Sequence, residues 1–274
     1  MIKVLLTGAE GFIGSNIYEE LCIWDNIHSV ISIEKEYMNY GGWETTLSKA
    51  VQECDVVLHV GAISDTSLRD PNEMMKYNFE FSRQLFDLAE IWNKKVVYSS
   101  SAANKGENGE TPSNLYGWSK YITEQYGMKA VSKFYALRYF NVYGPGEQNK
   151  GKMASVAFQA HRVGKFKLFP GNPKRDFVYI KDVVSATIYP IFNDISKGVY
   201  EVGSGEARTF EDVLDLMEVE YVYRDESDIP KGYQYFTQAK KTQFIKGWEP
   251  IYNLEDGLIE YKGYLEDEDI SSWG

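Results

Sequence analysis

Residues Thr7-Gly8-Ala9-Glu10-Gly11-Phe12-Ile13-Gly14 come directly after a strand-like apolar run, Ile2–Thr7, and open an amphipathic segment, Phe12–Trp24. Glycines at this spacing between a strand and a helix allow a tight turn, close approach of the backbone to a pyrophosphate, and close packing of helix on strand. The helix N-terminus adds amide donors and the positive end of the helix dipole. Three spaced glycines alone are weak evidence, but their place at the first strand–helix junction makes Gly8, Gly11, Phe12, Ile13 and Gly14 candidates for holding a dinucleotide. Glu34 ends the second strand about 20 residues later, where a carboxylate accepts hydrogen bonds from the adenosine ribose hydroxyls. That favours NAD. The adjacent Lys35 offers a cation to a 2′-phosphate, so NADP stays open, and the bland alternative for Glu34-Lys35 is an exposed strand end.

Further apolar runs at Val30–Glu34, Val56–Val60, Lys95–Ser100 and Phe134–Tyr139 alternate with helical patterns at Phe12–Trp24, Asn72–Trp92 and Asn114–Ser132. Such alternation predicts successive βαβ units and a parallel sheet, an α/β fold of the doubly wound Rossmann type. Between Glu34 and Asp55 there is room for only one small helix, around Thr45–Gln52. After Gly146 the alternation lapses. A helix at Ala154–Arg162, a strand ending at Phe169, a turn at Gly171–Pro173 and a βα unit at Tyr200–Met217 predict a smaller, mixed α/β region. The expected division is a Rossmann domain over 1–147 with a returning segment at about 176–205, and a substrate-binding region over 148–175 and 206–274.

Composition narrows the function classes. No apolar run approaches the roughly 20 residues of a membrane helix, and Met1 leads into a strand without a secretory signal, which predicts a cytoplasmic protein with no membrane partner. Cys22 and Cys54 have no metal-like spacing, so they are expected to be buried thiols with no metal site. A net charge of −11 disfavours nucleic acid as a partner. Yet Gln148 to Arg175 holds seven basic residues, Lys150, Lys152, Arg162, Lys165, Lys167, Lys174 and Arg175, and no acid. A run of this kind is either a solvated face or a site for an anionic ligand.

Tyr116 and Lys120 stand one helical turn apart, on one face. An ammonium beside a phenol lowers its pKa, and Tyr116 then exchanges a proton with a substrate hydroxyl. Among 21 tyrosines this is the single Tyr-x-x-x-Lys spacing. It opens the helix that follows Tyr98-Ser99-Ser100-Ser101, a strand end where Ser101 can share the substrate oxygen.

These residues are similar to the extended short-chain dehydrogenase/reductase superfamily, with its glycine loop, serine and Tyr-x-x-x-Lys. Within it the chain most resembles the ADP-L-glycero-D-manno-heptose 6-epimerase family. The matching stretches are Arg138-Tyr-Phe-Asn-Val-Tyr-Gly-Pro, Lys150-Gly-Lys-Met-Ala-Ser-Val-Ala-Phe, Lys174-Arg-Asp-Phe-Val-Tyr and Lys231-Gly-Tyr-Gln-Tyr-Phe-Thr-Gln-Ala. The resemblance implies a nucleotide-sugar epimerase that oxidises one sugar carbon and reduces it again with bound NAD or NADP. Tyr116 and Lys150 are implied as its two acid/base groups, supported by Lys120 and Ser101. It also implies cofactor contacts from the His59–Ile63 strand end, including Gly61 and Ala62, and from Asn78 and Val142. The nucleotide-sugar substrate falls to Asn141, Lys152, Gln159, the turn Phe169–Asn172 with Gly171, Arg175 and Tyr233, and homo-oligomerisation is expected by analogy. Tyr233 has the alternative of a core aromatic, and Arg175-Asp176 of a surface ion pair.

The chain departs from the family by being short between Glu34 and Asp55 and between Ser101 and Tyr116. Lys152 stands where serine is usual and Gln159 where histidine is usual, changes that bear on the sugar rather than the reaction. A sugar 4-epimerase and a 4-reductase are the enzymatic alternatives. A 4,6-dehydratase ranks lower, because Ala102-Ala103-Asn104 lacks the Asp-Glu pair such enzymes carry after the serines. A non-catalytic NAD(P)-binding protein would have lost Tyr116, Lys120 or Ser101, all of which are present.

Overall fold

A computed structural model of the chain describes residues 1–106, 111–229 and 233–271. The chain divides into two compact units, residues 1–139 with 184–200, and residues 140–183 with 201–274. The first unit runs β1 (Ile2–Thr7), α1 (Phe12–Cys22), β2 (Ile27–Ile33), α2 (Trp43–Glu53), β3 (Val56–His59), α3 (Pro71–Met75), α4 (Phe81–Ile91), β4 (Lys95–Ser101), α5 (Leu115–Ala130) and β5 (Phe134–Tyr139). The second holds β6 (Asn141–Tyr143), α6 (Val156–Val163), β7 (Lys165–Leu168) and β8 (Lys174–Tyr179). The chain re-enters the first through α7 (Ile180–Phe192) and β9 (Gly198–Val202), and ends in the second with β10 (Ala207–Thr209), α8 (Phe210–Leu216), β11 (Glu220–Tyr223) and α9 (Leu254–Ser271).

The main sheet has the order β2-β1-β3-β4-β5-β9, and every pairing from β2 to β5 is parallel. The Rossmann-type α/β fold expected from the alternating pattern is what forms. Val4, Leu5, Leu6, Val57 and Leu58 are all fully buried, as in a parallel sheet covered on both faces. The short stretch after Glu34 forms only a 3₁₀ turn, Lys35–Asn39, and α2. Among the described residues no strand lies outside β2, which is left at the sheet edge with Ser32 exposed.

The segment expected as one helix, Asn72–Trp92, contains a π-type turn at Lys76–Glu80 between α3 and α4. The widened turn carries Asn78, which is 2% exposed. Such insertions recur at functional sites. α7 was not foreseen: Val183, Val184, Ala186, Thr187 and Ile188 are all buried, so the helical polar–apolar period is erased, and Pro190 falls within it. Cys54 is buried as expected, but Cys22 is exposed at the last turn of α1, because that turn presents Leu21, not Cys22, to the core.

The second unit has little regular structure. β8 pairs antiparallel with β10 and parallel with β6, and β11 is parallel to β7. Its loops are fixed by buried carboxylates instead. Asp176 accepts from the backbone N–H of Ser204, Gly205 and Ala239, and Asp182 from those of Ile251 and Tyr252 at 2.8 and 3.0 Å. Glu201 accepts from Lys240 at 2.6 Å.

Helix α5 lies so close to β5 that a Cβ at Gly127 would fall 2.2 Å from the Phe134 ring. That ring is itself fully buried and packed on Phe86 and Tyr98. Gly127→Ala is expected to destabilise the fold by about 1–3 kcal/mol, the usual scale of overpacking, in urea denaturation; an unchanged midpoint would contradict this packing.

Candidate active site

The glycine loop is closed tightly on its neighbours. Gly8 has φ +74°, and a Cβ there would lie 2.5 Å from the Gly61 Cα; at Gly14 it would lie 1.8 Å from the Gly8 carbonyl oxygen. Both positions therefore admit only glycine. Gly11 caps α1 without a side-chain hydrogen bond to the helix amides, so backbone donors, with Phe12 buried and Ile13 half-buried behind them, face the turn. Glu34 reaches over the loop, its Oε1 accepting from the Glu10 N–H at 3.3 Å. Burial raises its pKa, opposed by the Glu10 and Ala9 amides. Lys35 is exposed. A loop that excludes side chains, an uncapped helix end and an anchored carboxylate fit a dinucleotide.

The His59 side chain lies in the core and not in this cleft. Its Nδ1 is hydrogen-bonded to Thr7 Oγ1 and its Nε2 to Ser82 Oγ, both at 2.7 Å. Ser82 donates its one proton to the Asn78 carbonyl at 2.8 Å, so Nε2 carries the histidine proton and Nδ1 accepts from Thr7. Thr7 in turn accepts from the Gly61 N–H at 3.1 Å. Burial, with Lys120 adding to it, brings His59 down to about 3, leaving the ring neutral. Asn78 likewise serves the protein: Oδ1 accepts from the Ile63 N–H at 2.7 Å, and Nδ2 donates to the Ile63 carbonyl at 2.9 Å and to Ser119 at 3.0 Å. It fixes the half-buried Gly61-Ala62-Ile63 strand end from the side.

Ser101, Tyr116 and Lys120 converge at the end of β4. A Cβ at Gly117 would lie 2.5 Å from the Ala103 carbonyl oxygen, so the start of α5 can press against the turn after Ser101. The Ser101 hydroxyl accepts from Ala103 N–H at 3.1 Å and is hydrogen-bonded to Tyr116. Lys120, 3% exposed, donates to the Ser99 carbonyl at 2.6 Å and lies 5.0 Å from the Tyr98 ring. Burial lowers its pKa to about 7. The expectation that Lys120 depresses the Tyr116 phenol is corrected: burial raises that phenol above its ordinary value, and the opposing effect comes from Ser101, since the lysine is aimed at Ser99.

Beneath these groups lies Glu124, fully buried and absent from the expectations. It accepts from Ser100 Oγ at 2.6 Å, Asn104 Nδ2 at 3.0 Å, and Arg138 at 2.9 and 2.6 Å. Its position, one turn beyond Lys120, was the available signal.

In the second unit Lys150 is half-buried within the 3₁₀ stretch Glu147–Met153, which kinks at Gly151. Burial lowers its pKa, opposed by the Glu147 carboxylate. Glu147, also unforeseen, is fully buried and accepts from the Ser155 N–H and hydroxyl at 2.5 and 2.6 Å and from the Tyr261 hydroxyl at 2.9 Å. Lys152 is exposed, and Gln159 donates to the Ala154 carbonyl at 2.6 Å, bracing the same loop. Asn141 is exposed and Val142 half-buried on β6. Gly171 and Asn172 turn with φ of +93° and +49°, and Phe169 meets Tyr233 at 5.2 Å. Arg175 is 8% exposed, with its guanidinium stacked by Tyr233 and Phe210 at 5.4 and 5.6 Å; NH1 donates to the Lys174 carbonyl and NH2 to that of Gln234. The alternative of a surface ion pair with Asp176 is therefore set aside, because both side chains are buried with other partners. Lys231 and Gly232 lie outside the described residues. A cavity of about 890 Å³ in this unit, lined by Phe177, Arg208, Trp248 and Tyr252 among others, includes none of the expected substrate residues. Among the described residues no cluster of His, Cys, Asp and Glu is disposed to hold a metal, and no helix is long and apolar enough to cross a membrane.

Residues 4–203 match the NAD dependent epimerase/dehydratase family, and the chain belongs to it. It is 31% identical to the ADP-L-glycero-D-manno-heptose-6-epimerase of Fusobacterium nucleatum, over 97% of this chain and 99% of that one. The crystal structure of the Helicobacter pylori ADP-L-glycero-D-manno-heptose-6-epimerase is similar at TM-score 0.83 and 27% identity, covering 97% of this chain and 96% of that one. The UDP-N-acetylglucosamine 4-epimerase of Methanobrevibacter ruminantium matches at TM-score 0.84 and 25% identity, over 97% and 99%. The resemblance read from the motifs is borne out, and an epimerase-type enzyme is supported by these relatives.

Two measurements check the geometry. The unfolded chain binds more protons at position 120 than the folded chain between pH 7 and about 10.5, so wild-type stability gains from this residue by up to about 1.4 kcal/mol per pH unit as pH rises. Urea melts at pH 7 and 9 should show wild type gaining on Lys120→Met, and a constant difference would mean an ordinarily titrating lysine. Glu124→Gln removes the buried charge that pairs with the 16%-exposed Arg138 side chain and should cost about 3 kcal/mol, with Glu124→Met/Arg138→Met recovering part of the loss. A single variant as stable as wild type would show that the pair holds nothing.

Proposed function

We propose that this protein is an NAD-dependent nucleotide-sugar epimerase whose substrate is an ADP-glycero-manno-heptose, inverted at C6. The observation that carries epimerisation over simple reduction is Lys150, a second half-buried amine of lowered pKa on a loop pinned by Glu147. An epimerase needs two proton-exchanging groups, because the carbonyl oxygen of its oxidised sugar points two ways. The full-length likeness to heptose 6-epimerases supports the choice of sugar. A 4-epimerase is the second reading. It is favoured by the likeness to a UDP-sugar 4-epimerase and by Gln159 and Lys152 at positions where the heptose enzymes differ. In this reading the protein works in the cytoplasm as a homo-oligomer, the latter checked by sedimentation equilibrium.

The glycine loop would hold the dinucleotide, whose nicotinamide would supply the hydride transfer from the sugar carbon and back to it. Gly8, Gly11 and Gly14 admit its pyrophosphate, and Glu34 takes the ribose hydroxyls. Tyr116, kept protonated by burial, gives its proton to the carbonyl oxygen in one orientation, with Ser101 sharing that oxygen. Lys150, whose lowered pKa makes its ammonium a stronger acid than that of an exposed lysine, takes the hydroxyl proton as the free amine, or gives one back as the ammonium, in the other. Lys120 holds the Ser99 strand end in register behind Ser101 and Tyr116. Arg175, Tyr233 and the turn Phe169–Asn172 take the nucleotide, with Asn141 at the sugar.

Proton NMR in deuterated water, without added cofactor, should show interconversion of the two ADP-heptose epimers and no change in a parallel tube of UDP-galactose. Conversion of UDP-galactose alone would move the reaction to C4, and silence in both would sink the epimerase reading. Tyr116→Phe and Lys150→Met should each cut turnover by at least about a hundredfold while dinucleotide stays bound. Because a 2′-phosphate would meet the anchored Glu34 carboxylate, NAD should bind about tenfold or more tightly than NADP, a like-charge cost of about 1.4 kcal/mol. Equal affinity would assign the site to Lys35.

A further inference from the structure

Helix α9 turns one face onto the segment that carries Lys150. A Cβ at Gly257 would lie 2.1 Å from the Tyr143 hydroxyl, so the helix comes this close to the end of β6 only at a glycine. One turn on, on the same face, Tyr261 is 1% exposed, and its hydroxyl donates to Glu147 Oε1 at 2.9 Å. The Tyr143 and Tyr261 rings lie 6.3 Å apart, and Leu265, a further turn along, is buried as well. The helix is thereby seated at a fixed depth where it meets residue 147.

Glu147 accepts its other hydrogen bonds from the two ends of one loop. The Gly144 N–H donates at 3.4 Å from before it, and the Ser155 N–H and hydroxyl at 2.5 and 2.6 Å from after it. Lys150 stands between, in the 3₁₀ stretch Glu147–Met153 that kinks at Gly151. Gly144 and Ser155 lie within eight residues of Glu147, whereas Tyr261 lies 114 residues away. The phenol is therefore what ties this irregular loop to a distant, regular element. A fully buried carboxylate holds its place and its charge through its donors.

We propose that Tyr261 is a positioning residue of the reaction, which acts through Glu147 to hold the Lys150 loop at the depth that keeps the amine partly out of water. This rests on the reading of Lys150 as an acid/base group and extends that site to helix α9.

Burial is what lowers the Lys150 pKa, and the charge of Glu147 opposes it. The other titratable groups beside Tyr261 are the phenols of Tyr179 and Tyr264. Without the Tyr261 hydroxyl the loop slackens towards water, and the carboxylate faces the amine with one donor fewer. Both changes favour the ammonium.

The test is trace acetylation of the full-length protein, with its dinucleotide bound, across about pH 7 to 11, the range that spans a lysine's titration. Lys150 is followed by peptide mass spectrometry. Tyr261→Phe, which removes only the hydroxyl, should raise the Lys150 midpoint by about half a unit or more, within the reach of changed burial and a neighbouring charge. Leu265→Ala weakens the same helix by a core truncation but takes no donor from Glu147, and should leave the midpoint at its wild-type value. In turnover of the sugar nucleotide, Tyr261→Phe should lower kcat about tenfold with KM within about threefold, and should cost nothing further on top of Lys150→Met, since a residue acting through another is not additive with it. The acid limb of its pH profile should rise with the midpoint. An unmoved midpoint in Tyr261→Phe, a shift matched by Leu265→Ala, or a full additional loss in the double variant overturns the positioning role and leaves the epimerase reading intact. Normal turnover in Lys150→Met defeats the acid/base reading of Lys150 and the proposal with it.

Discussion

Buried carboxylates that accept hydrogen bonds from the backbone hold this molecule together where helices and strands do not. A carboxylate has about four acceptor sites, so one side chain can satisfy the N–H groups of an irregular loop that would otherwise be buried at a cost of one to three kcal/mol each. Asp176 does this for residues 204, 205 and 239, and Asp182 for 251 and 252. Burial raises the pKa of both, and the donated amides oppose it. A related device, with side-chain donors at Glu124 and mixed donors at Glu147, recurs near the candidate site. Glu124 gathers the serine strand end, the turn after it and Arg138, and Glu147 gathers the loop that carries Lys150. Lys150 therefore sits on irregular backbone made rigid by a buried carboxylate, and Tyr116 on a regular helix that carries another, Glu124.

The first unit uses a neutral counterpart. From the Gly61 amide through Thr7, His59 and Ser82 to the Asn78 carbonyl, each donor meets one acceptor, so the ends of β1 and β3 and the π-type turn are held in one chain. With its pKa near 3, His59 stays neutral across the physiological range and the order of donors does not switch. Asn78 then extends the link to Ile63 and Ser119. The glycine loop, the strand end after β3 and the helix bearing Tyr116 are thereby coupled through side chains that do not themselves face solvent.

Much of the fold was legible because the parallel sheet writes itself as apolar runs between helical periods, and β1 and β5 fall where those runs do. The glycine loop was legible because its spacing answers a steric demand that the structure displays at Gly8 and Gly14. α7 was not, since a helix buried on most sides loses its period. β6, β8 and α9 were missed for related reasons: β6 is too short to alternate, and Lys174-Arg175-Asp176 at the head of β8 reads as surface until Arg175 finds rings and Asp176 finds amides. His59 misled because a residue at a strand end can turn inward as well as outward. Glu147 was invisible, and Glu124 marked only by its spacing from Lys120, for the converse reason. An acid in a helical or loop context reads as solvated, and only the convergence of four donors on one carboxylate reveals it as internal.

The placement of charge resolves a tension in the composition. The chain is acidic by eleven charges, yet the residues expected to meet the substrate are basic. In the second unit Glu147, Asp176 and Glu201 are at most 1% exposed, as is Asp182. Their charges are directed into backbone amides, and Asp225 is turned onto Ser227. Lys152 is exposed and Lys150 half-buried, while Arg175 is held between the Tyr233 and Phe210 rings. In the nucleotide-sugar reading proposed above, the buried acids hold the scaffold and the basic side chains are what remains for an anionic ligand.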